Sequence, residues 1–169
     1  DGKDRWFLEA LGIGAAKHWD TFFAAWLQLI HNNWNTAAGK DIVWRARTDA
    51  ALPMLVTILS DHKVDPHSQL KYFRAFDFHK GPAKTKSLLS LLEAKHPQQD
   101  FINAITLLQL DAGVPQTAML KKAFESGLNN VAGTQTYIDL LRKYKIKGKN
   151  AELIYKFNKN DNEQTKTDA

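Results

Sequence analysis

The sequence predicts an all-α fold, an α-solenoid built from about ten short antiparallel helices. Apolar residues recur with helical spacing, as in Trp19, Phe23 and Trp26, which fall at i, i+4 and i+7. No stretch of the 169 residues alternates apolar and polar side chains as a half-buried strand would. The five prolines follow one another at intervals of 13, 16, 15 and 18 residues, which suits one helix and one turn per interval.

Prolines and capping residues predict where the helices begin. A proline is tolerated in the first turn of a helix, where its missing N–H has no partner, and it disrupts a helix interior. The predicted starts are Asp65-Pro66, Gly81-Pro82, His96-Pro97 and Val114-Pro115, and the predicted N-caps of two further helices are Asp49 and Thr134. The predicted helices cover residues 4–15, 18–32, 38–47, 50–61, 66–77, 82–95, 98–112, 115–126, 134–145 and 148–158.

Helices of this length cannot each bury an apolar face alone, so we expect them to stack side by side around a continuous core. The prediction is one helical-repeat domain over residues 1–157, followed by a polar tail or linker over residues 158–169. A compact globular bundle is the alternative, which the repeat-like proline spacing disfavours. Because the chain begins Asp1-Gly2 without a methionine and ends in that polar run, we expect it to be a piece of a longer protein.

The composition excludes several classes of chemistry. The chain has no cysteine, which excludes disulfides, thiolate zinc sites, iron–sulfur clusters and haem attachment through C-x-x-C-H in this sequence. No run approaches the ~18 consecutive apolar residues of a membrane span. The net charge of +5 is a mild excess that falls short of the strong basic character of nucleic-acid-binding proteins.

One helix pair carries a repeat pattern. Leu52-Pro53-Met54-Leu55 leads through Leu59-Ser60-Asp61 to Tyr72-Phe73-Arg74-Ala75-Phe76. This resembles a HEAT repeat, in which an apolar helix entered near a proline and an Asp at the turn precede an Arg-Ala pair in the second helix. The resemblance implies a HEAT-like superhelix.

Two longer blocks resemble a narrower family. They are DGKDRWFLEALGIGA, residues 1–15, and YFRAFDFHK, residues 72–80. Both are similar to blocks in large multidomain proteins of Planctomycetes, Verrucomicrobia and Bacteroidetes that are described as membrane-bound dehydrogenases or haem-binding proteins. The resemblance extends from Asp1 to around Phe157 and places this chain in their HEAT-like helical region.

This resemblance implies an exported chain, periplasmic or at the cell surface, in which a sugar-dehydrogenase-like β-propeller and a c-type cytochrome domain flank the helical region. Haem c is then expected on a separate domain, and no cofactor is expected in this chain. The sequence departs from the family at Ala16-Lys17-His18, where the family has a small Asp-Gly turn, and it contains no haem-attachment motif and no propeller. Only a role as a helical spacer or docking scaffold therefore transfers, with neighbouring domains or another protein as partners.

The histidines and carboxylates favour structural roles. No two histidines have the i, i+4 spacing of a helical metal site, so we predict solvated turn histidines at His18, His31, His62, His67, His79 and His96. Asp61 and Asp65 flank a loop and Asp77 lies near His79, and helix capping or pairing with a cation is the favoured role for all three carboxylates. Arg74 is predicted to bond turn carbonyls or Asp side chains within the repeat stack.

Trp34 and a basic cluster form the candidate interaction surface. Trp34 lies in a polar run and is predicted to be exposed, whereas the other tryptophans follow apolar helix faces and are predicted to be core residues: Trp6, Trp19, Trp26 and Trp44. The basic cluster comprises Arg142, Lys143, Lys145, Lys147 and Lys149. It suits a phosphate or an acidic partner, although a solvated face at the end of a solenoid is the favoured interpretation. We predict no catalytic, cofactor-binding or metal-ligating residue.

These patterns favour a non-catalytic scaffold or docking domain from an exported dehydrogenase or cytochrome-type redox protein. The alternative is a nucleic-acid-binding HEAT-like protein, such as a DNA-glycosylase-like enzyme, which the pI of about 9.3 and the five tryptophans support. The basic residues bunch near the C-terminus instead of recurring once per repeat, which favours a protein partner over nucleic acid. A third possibility is a scaffold that binds peptide or carbohydrate.

Overall fold

The computed structural model describes residues 4–111, 113–115 and 117–149. Within these ranges nine α-helices and two 3-10 helices follow one another, and no β-strand occurs. The α-helices are α1 Arg5–Gly14, α2 Trp19–Leu29, α3 Ala37–Arg45, α4 Leu52–Ser60, α5 Pro66–Phe73, α6 Pro82–Glu93, α7 Gln99–Gln109, α8 Ala118–Asn130 and α9 Gln135–Lys143. The 3-10 helices are Asp49–Ala51 and Arg74–Phe78. The all-α prediction is confirmed.

Two predicted helix starts are confirmed at their prolines. α5 begins at Pro66 and α6 at Pro82. Asp65 caps α5 as predicted, because its carboxylate accepts a hydrogen bond from the Ser68 N–H at 3.1 Å. Hydrogen bonds from Ser68 also hold the pKa of Asp65 below its usual value.

The predicted start at Val114-Pro115 is wrong, because α8 begins three residues later, at Ala118. Thr117 determines this boundary: its hydroxyl accepts a hydrogen bond from the Leu120 N–H at 3.2 Å. The last predicted helix, over residues 148–158, lies outside the described residues from position 150 onward.

Two other predicted boundaries are shifted by local hydrogen bonds. Pro97 lies in a turn, and α7 begins at Gln99. Thr48, not Asp49, is a capping residue: it is the N-cap of the 3-10 helix that precedes α4, since the Thr48 hydroxyl accepts a hydrogen bond from the Ala50 N–H. Asp49 is the first residue of this 3-10 helix, and its carboxylate lies near the ring of His79 instead of capping the helix.

The chain divides between Ser87 and Leu88 into two compact units, which we call the N-terminal and the C-terminal unit. The prediction of one repeat domain over residues 1–157 stays a prediction. Among the described residues, no helix is both long enough and apolar enough to cross a membrane. The longest, α8, has 13 residues, whereas a span needs about 20.

In the N-terminal unit, α1 packs against α3, α3 against α4, and α4 against α5. An ion pair joins α5 to α3, with the Lys71 ammonium 2.6 Å from the Asp41 carboxylate. The Thr48 hydroxyl donates a hydrogen bond to Asp20 and so ties the segment before α4 to α2. Fully buried core side chains of this unit include Phe23, Leu52, Leu55, Ile58, Leu59, Phe73 and Phe76.

In the C-terminal unit, α7 packs against both α8 and α9. Asn103, which is buried, sits in a chain of polar contacts: its carbonyl oxygen accepts from the Gln99 amide at 2.8 Å and its amide donates to the Ser126 hydroxyl at 2.9 Å. The Gln99 amide also donates to the Leu91 carbonyl at 2.9 Å. Fully buried core side chains of this unit include Leu88, Leu91, Ile102, Leu107, Tyr137 and Leu140.

Candidate docking surface

Helix α1 is apolar on nearly every side, but the described residues cover only one side of it. Leu8, Gly12 and Ala15, at i, i+4 and i+7, are buried. Trp6 and Ile13, also seven residues apart, are 79% and 73% exposed. A helix that is apolar all round is normally buried on all sides. The uncovered side of α1 is therefore a candidate contact surface.

Helix α2 continues this apolar surface. Trp19 and Phe23 are buried, whereas Phe22 is 52% and Leu29 79% exposed. The ring of Phe23 lies 5.3 Å from that of Trp26, between centroids, so the aromatic side chains of this helix form a contiguous group.

A pocket of about 390 Å³ lies where α1, α2 and α3 meet, and we call it the aromatic pocket. Its lining residues are all apolar: Leu11, Gly14, Ala15, Trp19, Phe22, Phe23, Trp26 and Ile42. The volume falls within the range of about 300–1,000 Å³ that is typical of ligand pockets. Since the lining side chains carry almost no hydrogen-bonding group, the pocket suits an apolar group and offers nothing that would orient a polar one.

A close contact between α1 and α3 fixes the wall of the aromatic pocket. The Arg45 guanidinium lies over Gly12, where a β-carbon would come within 2.2 Å of it. The same guanidinium forms an ion pair with Glu9 at 3.0 Å. Arg45 thus joins α3 to two positions of α1, Glu9 and Gly12, and each helix supplies a lining residue of the pocket, Leu11 from α1 and Ile42 from α3.

The tryptophans differ from their predicted exposure. Trp6, a predicted core residue, is 79% exposed, because the helix face that carries it has no neighbour among the described residues. Trp19 is buried as predicted, and Trp26 and Trp44 are half-buried. Trp34 is half-buried as well, in the turn before α3, where its carbonyl accepts a hydrogen bond from the Thr36 N–H at 2.7 Å. It does not line the aromatic pocket.

The predicted basic cluster lies at the end of α9, in the C-terminal unit, whereas Trp34 belongs to the N-terminal unit. Arg142 and Lys143 occupy the last turn of α9, where positive charge is favoured by the helix dipole. The Lys143 ammonium also donates a hydrogen bond to the Leu108 carbonyl. These two cations therefore have structural roles, while Lys145 and Lys147 are exposed beyond the helix and Lys149 is half-buried.

His79 contradicts the prediction of solvated turn histidines. Its side chain is 2% exposed, and its Nδ1 lies 3.6 Å from the carboxylate of Asp49, not of Asp77, which is exposed. Burial lowers the pKa of His79, although the nearby Asp49 carboxylate opposes this shift. The other histidines are exposed or half-buried. No periodicity in the sequence connects His79 with Asp49, which lies 30 positions earlier.

The predicted role of Arg74 belongs instead to Arg47. The Arg74 side chain is exposed and bonds no turn carbonyl or Asp side chain among the described residues. The Arg47 guanidinium donates to the carbonyls of Trp44 and Ala46, both at 3.0 Å, and stacks on the ring of Phe78 at 3.8 Å. Burial, with the nearby charge of Arg45, lowers the pKa of Arg47 to about 10.

Asp61 has the structural role that the sequence predicts. It ends α4, and its carboxylate accepts a hydrogen bond from the Lys63 N–H at 3.0 Å, which lowers its pKa. Within the described part of the chain, no three His, Asp or Glu side chains are grouped as a metal site requires. The chain matches no protein-family model, no curated protein and no solved structure. The resemblance to the dehydrogenase family therefore stays a prediction.

Proposed function

We propose that this chain is a non-catalytic helical scaffold that docks a protein partner, or a neighbouring domain, through the aromatic pocket and the exposed apolar faces of α1 and α2. The observation that carries the proposal is the uncovered apolar side of α1. Aromatic side chains such as Trp6 and Phe22 are the residue types that dominate binding energy at protein interfaces.

The pocket lining defines the chemistry of the partner. Because all eight lining residues are apolar, the inserted group is a bulky aliphatic or aromatic side chain. Exposed Trp6, Ile13 and Leu29 widen the contact beyond the pocket, which suits an amphipathic helix better than a small molecule. Burying these side chains supplies the favourable free energy of docking.

We also propose that the helices form a HEAT-like solenoid within an exported dehydrogenase or cytochrome-type protein. The packing of several helices on near neighbours in sequence, such as α3 on α4 and α4 on α5, supports the solenoid. The residue blocks 1–15 and 72–80 support the family. A parent gene that encodes a signal peptide upstream and C-x-x-C-H downstream is expected, and a parent gene without them would remove the redox part of the proposal.

Selection from a peptide-display library on the immobilised chain tests the docking proposal. We expect enriched peptides to carry bulky apolar side chains at helical spacing and to bind the Phe22→Ser variant at least about tenfold more weakly. Phe78→Ser is the matched control, because Phe78 is 62% exposed in the same unit but does not line the pocket. Circular dichroism establishes that both variants fold.

Two outcomes would contradict the docking proposal. Enriched peptides without an apolar anchor would show that the aromatic pocket is not the binding site. Equal loss of binding in Phe22→Ser and Phe78→Ser would show that the effect is not specific to the pocket.

A further inference from the structure

A second pocket, in the C-terminal unit, combines aromatic and aliphatic side chains with one lysine and one glutamate. It measures about 420 Å³ and is lined by Lys121, Phe124, Glu125, Tyr144 and Ile146. We call it the Tyr144 pocket. The rings of Phe124 and Tyr144 meet edge to face with centroids 5.2 Å apart, and the Tyr144 hydroxyl donates to the Leu107 carbonyl at 2.9 Å. With its hydroxyl occupied, Tyr144 offers an incoming group mainly its apolar ring.

The turn that ends α9 brings Ile146 to this pocket. The Ile146 N–H bonds the Leu141 carbonyl at 3.0 Å and the Lys145 N–H bonds the Arg142 carbonyl at 3.2 Å. Lys145 has a φ of +53°, so these bonds form the left-handed turn that reverses a chain at a helix end. Ile146, 39% exposed, thus becomes an apolar wall, with exposed Lys145 and Lys147 on either side of it in the sequence.

Positive charge predominates in the segments that form the Tyr144 pocket. Lys121 lines it, and Lys145 and Lys147 flank Ile146. Glu125 is the one carboxylate among the described residues that line it. It lies four residues after Lys121 on α8, but the two form no ion pair in the described structure, so Glu125 does not neutralise Lys121 by direct contact.

We propose that the Tyr144 pocket binds an acidic peptide segment that inserts one bulky apolar side chain between Phe124, Tyr144 and Ile146. The lysines then attract the flanking carboxylates of the peptide. A nucleic-acid backbone fits less well, because it requires a track of cations and gains nothing from an apolar wall. This site is separate from the proposed docking through the aromatic pocket and selects its partner by charge.

Fluorescence anisotropy of two labelled peptides with the full chain tests this proposal. One peptide has the sequence Glu-Glu-Phe-Glu-Glu, and in the other serine replaces phenylalanine. At low salt we expect the phenylalanine peptide to bind at least about fivefold more tightly than the serine peptide. The binding of both peptides should weaken as salt is added. Ile146→Ser should remove the difference between the two peptides. Equal binding of the two peptides to the unaltered chain would overturn the apolar part of the proposal.

Charge reversal tests the electrostatic part. Lys121→Glu and Lys147→Glu are each expected to weaken the binding of the phenylalanine peptide by about fivefold. Lys63→Glu, an exposed lysine of the N-terminal unit, makes the same change in net charge and should leave binding unchanged. Equal weakening by Lys63→Glu, or displacement of the peptide by duplex DNA at lower concentration than by unlabelled peptide, would overturn the proposal. Phe22→Ser should have no effect, which separates this test from that of the aromatic pocket.

Discussion

Gly127 of α8 lies directly against the backbone of Ala104 in α7: a β-carbon at position 127 would be 2.8 Å from the Ala104 nitrogen. Atoms at that distance overlap, and the obstacle is main chain, which cannot move aside as a flexible side chain can. Glycine therefore allows α7 and α8 to approach closely at this point.

The Gly127→Ala variant should be less stable than the unaltered chain. Overpacking against backbone costs about 1–3 kcal/mol, which outweighs the gain of about 1 kcal/mol that alanine brings to a helix interior. Urea unfolding followed by circular dichroism measures the difference. Gly14→Ala is the control, because a β-carbon at position 14 would meet no atom within 4 Å outside its own stretch of helix, and it should raise the free energy of unfolding. A gain of stability in both variants would contradict the close approach.

Removing the cap of α8 should also lower stability. Thr117→Ala leaves the Leu120 N–H without its acceptor and is expected to lower the free energy of unfolding by about 1 kcal/mol. Thr117→Ser keeps the hydroxyl and should retain most of the stability. Pro115→Ala tests the corrected boundary, since a residue outside the helix should contribute less than the cap. A larger loss in Pro115→Ala than in Thr117→Ala would argue that the helix begins at Pro115.

Asn103 is expected to be the most costly polar residue to remove from the α7–α8 contact. Asn103→Ala leaves the Gln99 amide and the Ser126 hydroxyl without one partner each, and unpaired buried polar groups cost about 1–3 kcal/mol. The thermal midpoint and the urea midpoint should both fall. Asn129→Ala, at an exposed position of α8, should change either midpoint little. Similar losses in the two variants would contradict a role for the buried contacts.

The stability of the N-terminal unit should fall as pH drops below 6.5. Burial of His79 lowers its pKa in the folded state from the ordinary value of 6.5, so the unfolded chain binds the proton more readily. The contribution of neutral His79 to the free energy of unfolding is fully present above pH 6.5 and is lost as the pH falls towards the lowered pKa. Asp49 opposes this loss, while Arg47 and Lys84 add to it.

Unfolding measured between pH 7.5 and pH 5 in the His79→Asn variant tests this pH dependence, and we expect its stability to vary less with pH than that of the unaltered chain. His67→Asn, a change at an exposed histidine, should leave the slope unaltered. Identical slopes in all three proteins would exclude His79 as the responsible group.

Local signals predicted much of the secondary structure because they act over a few residues. Asp65 followed by Pro66 determines the start of α5 through a cap and a fixed backbone angle, and the structure agrees. The helix start predicted at Val114-Pro115 was wrong because proline is also common in turns. The Thr117 cap, two residues after Pro115, determines where α8 begins. The candidate site was harder to predict, since the spacing of Trp6, Phe22 and Trp26 shows that they lie on helices but not which of them a neighbouring helix covers.

The sequence by itself determined that the described part of this chain is helical and where helices such as α5 and α6 start, because helical periodicity and capping depend on neighbours along the chain. Only the tertiary structure decided that one side of α1 stays uncovered, that His79 is buried beside Asp49, and that Ile146 folds back beside Tyr144. Each of these depends on which faces meet in space, and a short-range pattern carries no information on contacts between residues that are distant in the chain.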